Sequence, residues 1–211
     1  VGEEILSTFE LEQTQVETLL FQSGYLTIQD VKTVMGQEVF TLSFPNFEVK
    51  TAFNRYLVAG YTELTTQRYQ YEKGLYDSLM GADLPALEQT IRRLFSAIGY
   101  RNYTNNPLAE YEGYYASVLY AFFSAIDGEI IPEDISNRGQ ADLTVKLGGN
   151  IYVMEIKAEK PDGNSNPALS QVRERAYADK YLGLPGKMVY EVGIIFDPDQ
   201  RNLVAFDWVR R

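Results

Sequence analysis

Residues 140–157 constrain the fold more than any other stretch of this 211-residue chain. Gln140-Ala141-Asp142-Leu143-Thr144-Val145-Lys146-Leu147 alternates polar and apolar, as does Ile151-Tyr152-Val153-Met154-Glu155-Ile156-Lys157, which puts Tyr152, Met154 and Ile156 on one face. Alternation with a period of two marks strands that press one face into a core. Between the two runs, Gly148-Gly149 supplies the residue type that a two-residue hairpin turn requires. Leu147 then pairs with Asn150, and counting back sets Asp142 opposite Glu155, with Cβ atoms roughly 4.5–5.5 Å apart. Shifting the turn by two residues would place Asp142 opposite Lys157, still on the same face. A three-residue loop without a bulge would break the alignment.

Two carboxylates facing each other across a sheet repel, and a divalent cation offsets that repulsion. Lys157 projects from the same face as Glu155 and brings a positive charge able to position water or to stabilise charge developing on phosphorus. Any one of these residues alone on a strand reads as an ordinary solvated charge. All three in one register form the minimum for metal-assisted phosphodiester hydrolysis.

Composition narrows the chemistry. The chain has no Cys and no His, so disulfides, thiolate ligands and imidazole ligands or bases are excluded. Any metal must be held by oxygen, which favours Mg²⁺ or Mn²⁺, and a reducing cytoplasm is the expected compartment. The formal net charge of −10 argues against broad attraction to nucleic acid. The longest uncharged apolar runs, such as Tyr114 to Ile126, fall short of the roughly 20 residues needed to span a bilayer. No membrane role is expected. The opening Val1-Gly2-Glu3-Glu4 has neither an initiator Met nor a signal peptide and reads as part of something longer, with room for a basic partner domain.

Periodicity and turn signals predict a first unit over residues 1–46. It comprises a helix capped near Thr8 and running through Leu11, Thr14, Thr18 and Leu19 to Gly24, then strands at 25–28 and 38–42 around Met35-Gly36, an arrangement that reads either as a winged-helix fragment or as a plain connecting subdomain. Residues 47–99 read as about three helices, the last opened by Asp83-Leu84-Pro85 and striped by Leu87, Ile91, Leu94, Phe95 and Ile98. A helix from Pro107 to Ile126, strands at 141–147 and 151–157, a helix from Asn166 to Leu182 and strands at 188–196 and 203–209 complete a second unit, 47–211. The order α-β-β-α-β-β predicts an α/β fold with a mixed sheet flanked by helices.

Asp142, twelve intervening residues and Glu155-Ile156-Lys157 resemble the D-x(n)-E-x-K signature of PD-(D/E)XK nucleases, and the α-β-β-α-β order resembles their restriction-endonuclease-like core. Leu20-Phe21-Gln22-Ser23-Gly24-Tyr25-Leu26-Thr27-Ile28, Phe44-Pro45-Asn46-Phe47-Glu48-Val49, Tyr152 to Lys157 and Ala168-Leu169-Ser170-Gln171 resemble bacterial proteins that join an AAA-ATPase-like domain to a C-terminal PD-(D/E)XK domain. That likeness implies a Mg²⁺- or Mn²⁺-dependent nuclease acting on nucleic acid, DNA in the first place, with an ATPase-like domain preceding it in the full-length chain. Asp142, Glu155 and the Ile156 carbonyl would hold the metal, and Lys157 would be the catalytic cation. Glu112, in phase with Tyr115, Leu119, Phe122 and Ile126, would be a third acidic ligand, with Glu110 the alternative. Gln171 would orient water or phosphate. The pattern departs from the family in two places. Arg138-Gly139 stands where Gly-Arg is usual, and Tyr177 lies six residues after Gln171 rather than four, which leaves Tyr177 insecure. Arg173, Arg175 and Lys180 are candidates for a nucleic-acid backbone, against which stands a plain solvated face, since Glu174 and Asp179 lie among them. The rival reading is a catalytically silent binding or regulatory module of a larger ATPase-like protein.

Overall fold

The computed structural model describes residues 1–2, 5, 15–61, 68–99, 110–160 and 165–211, with the side chains of residues 58, 61 and 68 left aside. They fall into two compact units, Val1–Asn54 and Arg55–Arg211. The division lies inside a helix rather than ahead of it. In the first unit, α1 (Val16–Gln22) ends at Gly24, whose φ of 81° is the left-handed stop, with the Tyr25 and Leu26 amides bonded back to Leu20. The predicted cap near Thr8 and the first turns through Leu11 and Thr14 lie outside the described residues.

Strands β1 (Thr27–Val34) and β2 (Gln37–Ser43) are longer than the sequence suggests. They meet at Met35-Gly36, where φ values of 53° and 83° make the tight turn that suits the right-handed twist of a hairpin. Tyr25, Phe44 and Phe53 pack ring against ring. Helix α2 (Phe47–Tyr61) crosses the division between units.

The second unit opens with α3 (Arg68–Gly81) and α4 (Leu84–Ser96). Asp83 caps α4 by accepting the Ala86 amide at 3.0 Å, Pro85 occupies the first turn, and Leu87, Ile91, Leu94 and Phe95 form the buried stripe. Helix α5 (Glu112–Phe123) follows, buried at Tyr115, Leu119 and Phe122 and also at Tyr114, Val118, Ala121 and Phe123. Residues 107–109, the predicted start of this helix, are outside the described set.

Five strands then form one sheet: β3 (Glu129–Ser136), β4 (Gly139–Leu147), β5 (Asn150–Ala158), β6 (Met188–Asp197) and β7 (Asn202–Arg210), in that spatial order. All neighbours are antiparallel except β5 and β6. Between them lies the crossover helix α6 (Pro167–Glu174), capped by Asn166, and a short 3₁₀ turn at Asp179–Tyr181. The helix predicted to reach Leu182 therefore stops eight residues early, because Arg175 caps it and Ala176 turns to a φ of 52°.

Strand β3 is absent from the sequence reading. Pro132 interrupts its run, and a proline, lacking an amide hydrogen, argues against a strand unless that strand lies at a sheet edge. β3 is such an edge, so the order is α-β-β-β-α-β-β. Its partner β4 supplies the missing ladder.

One face of the sheet carries Leu143, Val145, Tyr152, Met154, Val192 and Phe196 against α3, α4 and α5. The other face buries Ile151, Val153 and Val189 against Val172, Tyr177 and Tyr181. Strand β5 is thus covered on both sides, and the residues near its carboxyl end are where both helical layers reach a strand terminus. Open α/β sheets place ligands at such ends. Among the described residues no helix is long and apolar enough to cross a membrane.

Candidate active site

The β4–β5 register is the one a two-residue turn dictates: Leu147 pairs with Asn150, then Val145 with Tyr152 and Leu143 with Met154. Gly148 and Gly149 have φ values of 59° and 90°, so the turn needs residues without a side chain. The ladder then stops one pair short of Asp142 and Glu155. Asp142 Oδ2 instead accepts the backbone N–H of Ile156 at 2.8 Å. On its other side Asp142 faces Glu133 by register, and this pair too is missing from the β3–β4 ladder, with Glu133 at a φ of 47°. The sheet opens on both flanks of Asp142.

Glu155 is 2% exposed. Its Oε1 accepts from Lys157 Nζ at 3.3 Å and from the Gln171 amide, while its Oε2 is buried with no hydrogen-bond partner. Burial, with Asp142 adding to it, pushes the Glu155 carboxyl up to about 7. Burial also raises Asp142, helped by Glu112 and Glu133 and opposed by the Ile156 amide and Lys157. Burial would lower Lys157, but Glu112, Glu155 and Asp142 outweigh it and hold the ammonium charged.

The structure therefore brings Asp142, Glu155, Ile156, Lys157 and Gln171 together. Glu112 joins them at the rim, with Oε1 3.5 Å from Lys157 Nζ and its side chain 42% exposed. Lys157 bridges Glu112 from the α5 layer to Glu155 on the sheet. Glu110 is exposed and precedes the helix. Among the described residues no group of three Asp, Glu, His or Cys converges to hold a metal ion. The donors on offer are the two carboxylates and a backbone oxygen. Their character still fits a hard cation: the set is all oxygen, Glu155 Oε2 is buried and unpartnered, and both acids hold protons more tightly than usual.

Gln171 reaches Glu155 because α6 lies unusually close to the sheet. Gly193, the register partner of Glu155 on β6, allows this: a Cβ there would meet the Leu169 amide nitrogen at 2.2 Å and Asn166 Oδ1 at 2.6 Å. Asn166 caps α6 through Leu169 and donates to both the Gly193 carbonyl and Asp207. Sequence reasoning missed Glu133, which lies in the unread strand, and the positioning role of Gly193. The Asn166-Pro167 pair was a visible cap signal for this helix, but nothing in the sequence announces the contact with β6.

Lys180, a candidate for a nucleic-acid backbone, is engaged within the chain: from the surface it bonds Asp134 Oδ1 and the Ile135 carbonyl, both at 2.6 Å, and buried Asp134 also accepts from Thr144 and Tyr181. Tyr177 is 5% exposed and lies over Gly139, where a Cβ would come within 3.1 Å of its hydroxyl. Arg138, Arg173 and Arg175 remain exposed and make no ion pair among the described residues.

Residues 110–206 match the family model of the PD-(D/E)XK nuclease superfamily. The five-stranded mixed sheet flanked by helices is accordingly a restriction-endonuclease-like fold. A protein of Azotobacter chroococcum mcd 1, described as an uncharacterized protein in the vnfD 5′ region, is 37% identical over 204 residues, covering 96% of this chain and 39% of that protein. The chain thus spans about two-fifths of the length of this curated relative. No solved structure matches the chain.

Proposed function

We propose that the second unit is a divalent-metal-dependent phosphodiesterase that cleaves nucleic acid, with DNA as its substrate. The observation that carries this is the buried Glu155 carboxylate, left with one unpartnered oxygen beside Asp142 and within 3.3 Å of Lys157. Asp142, Glu155 and the Ile156 carbonyl would hold Mg²⁺ or Mn²⁺, which when bound neutralises phosphoryl charge and makes water a better nucleophile.

The chain's own groups have separable tasks. The Ile156 amide fixes the Asp142 carboxylate, and Gln171 fixes that of Glu155. Lys157 cannot ligate a cation, but its ammonium offsets charge as phosphorus becomes five-coordinate, an effect realised mainly in the transition state. Glu112 steadies Lys157 at the rim.

Incubation with supercoiled, linear and single-stranded DNA and with RNA, in Mg²⁺ and Mn²⁺, tests the reading. Cleavage by the wild type and its loss in Asp142→Asn is the expected result. The second reading, a silent binding or regulatory module, draws on the net charge of −10 and on the finding that, among the described residues, no three acids converge so as to hold a metal ion. It prevails if no substrate is cut with either metal. We further propose a cytoplasmic location and an ATPase-like domain joined to the first unit in the full-length protein. The likeness of residues 20–28 and 44–49 to such fusions supports the latter, as does the greater length of the relative.

A further inference from the structure

A strongly acidic nuclease must solve a problem of attraction. The candidate site gathers Glu112, Asp142 and Glu155 around one lysine, with Glu133 beside Asp142, and the chain as a whole is acidic. Phosphate binding nevertheless depends on cations free to meet it. Around the sheet, Lys146, Lys157, Lys160, Lys180 and Arg211 are each held by a carboxylate of the chain. Arg175 is not. It is exposed, makes no ion pair among the described residues, and lines an open groove of about 480 Å³ along α6 together with Ser165, Ser170, Gln171, Glu174 and Tyr177.

Gln171 belongs to this groove and to the active site at once, since its amide donates to Glu155. An amide nitrogen carries two N–H groups, so one remains after that bond is made. Arg175 lies four residues further along the same helix face, an advance of about 6 Å. The groove is of small-molecule size and suits a phosphate with its sugar rather than a whole duplex. Its hydroxyl, amide and guanidinium groups are those that contact a sugar-phosphate backbone without reading bases.

From this we infer that the α6 groove is a backbone subsite, in which Arg175 holds the phosphate next to the one being cleaved and Gln171 links the two positions. The inference rests on the nuclease reading above. It assigns Arg175 to substrate binding, with no part in the chemical step. Glu174 opposes it from the same lining, so its neutralisation should strengthen binding.

The test measures binding of a fluorescein-labelled oligothymidylate to the 211-residue chain in EDTA across a salt series, alongside cleavage kinetics with Mn²⁺. Arg175→Gln should weaken binding about tenfold and lower the slope of log affinity against log salt by roughly 0.7. It should raise KM and leave kcat unchanged. Glu174→Gln should bind more tightly. Arg93→Gln, in a separate groove between α3 and α4, should behave as wild type. If the wild type binds or cleaves while both Arg175→Gln and Glu174→Gln match it, the subsite is wrong and the nuclease reading stands. If the wild type neither binds nor cleaves any substrate, both fall. Full displacement of the oligonucleotide by millimolar inorganic phosphate would reassign the groove to free phosphate and overturn the strand subsite.

Discussion

Raising the pH in metal-free buffer should destabilise this protein across a defined window. Glu155 keeps its proton up to about pH 7 in the folded chain, whereas its ordinary value is 4.5. Between these values the folded state binds more protons than the unfolded state, so unfolding free energy falls as pH rises; below the window both states are protonated, and above it both are ionised. An interval of about 2.5 pH units at about 1.36 kcal/mol each amounts to a loss of about 3 kcal/mol. Asp142, raised for the same reason, couples to it, so the decrement belongs to the pair. The assay is chemical denaturation in EDTA at pH values from 4.5 to 8, comparing wild type with Glu155→Gln. The variant cannot ionise at this position and should lose most of the decrement, which in melting temperature is roughly 6–12 °C for the wild type. A wild-type curve that is flat or rises with pH relative to the variant would refute the buried, unpartnered carboxylate as its cause.

Mg²⁺ or Mn²⁺ at one hundred times its dissociation constant should add about 2.7 kcal/mol to the wild type at pH 8, read as a melting shift that Asp142→Asn largely loses. Lys157→Ala should reduce any cleavage on the order of 100- to 1,000-fold while calorimetry shows metal affinity retained; wild-type turnover in this variant would remove the lysine from the mechanism. Gly193→Ala, forced against the backbone of α6, should cost about 1–3 kcal/mol in denaturant unfolding, and an unchanged midpoint would mean that the helix docks loosely. Despite burial, bonds from Lys180, Tyr181 and Thr144 hold the Asp134 carboxyl below its ordinary value of 3.8, so its stabilisation is lost as pH falls through that range. Asp134→Asn should therefore cost about 2 kcal/mol at neutral pH.

What the sequence disclosed follows from how local the signals were. The hairpin register was legible because Gly148-Gly149 admits one tight turn and the flanking alternation admits one facing, so Asp142, Glu155 and Lys157 could be placed by counting. The strand Met188–Asp197 was legible as a continuous apolar run, and it is buried along nearly its whole length. Glu191 within that run is fully buried and pairs with Arg211, a contact across twenty residues that no local pattern announces. Strand β3 was hidden because Pro132 carries opposite meanings at an edge and in a sheet interior, and position in the sheet is a tertiary property. Losing β3 also hid Asp134, and with it the reason Lys180 is unavailable to a ligand. The helix after the site was read too long because Val172, Ala176 and Lys180 keep a helical spacing that the chain abandons at Ala176.

The bond from the Ile156 amide to Asp142 gives this site its own reporter. Most amides in β5 answer to a neighbouring strand's carbonyl, whose charge never changes; this one answers to a carboxylate that gains a proton, loses it, or gives its electrons to an ion. The Ile156 nitrogen-bound hydrogen should therefore shift in a ¹⁵N-resolved spectrum with pH and with added Mg²⁺, while those of Val145 and Tyr152, deep in the intact ladder, stay still. A single backbone resonance then records the state of the carboxylate without any substrate or turnover.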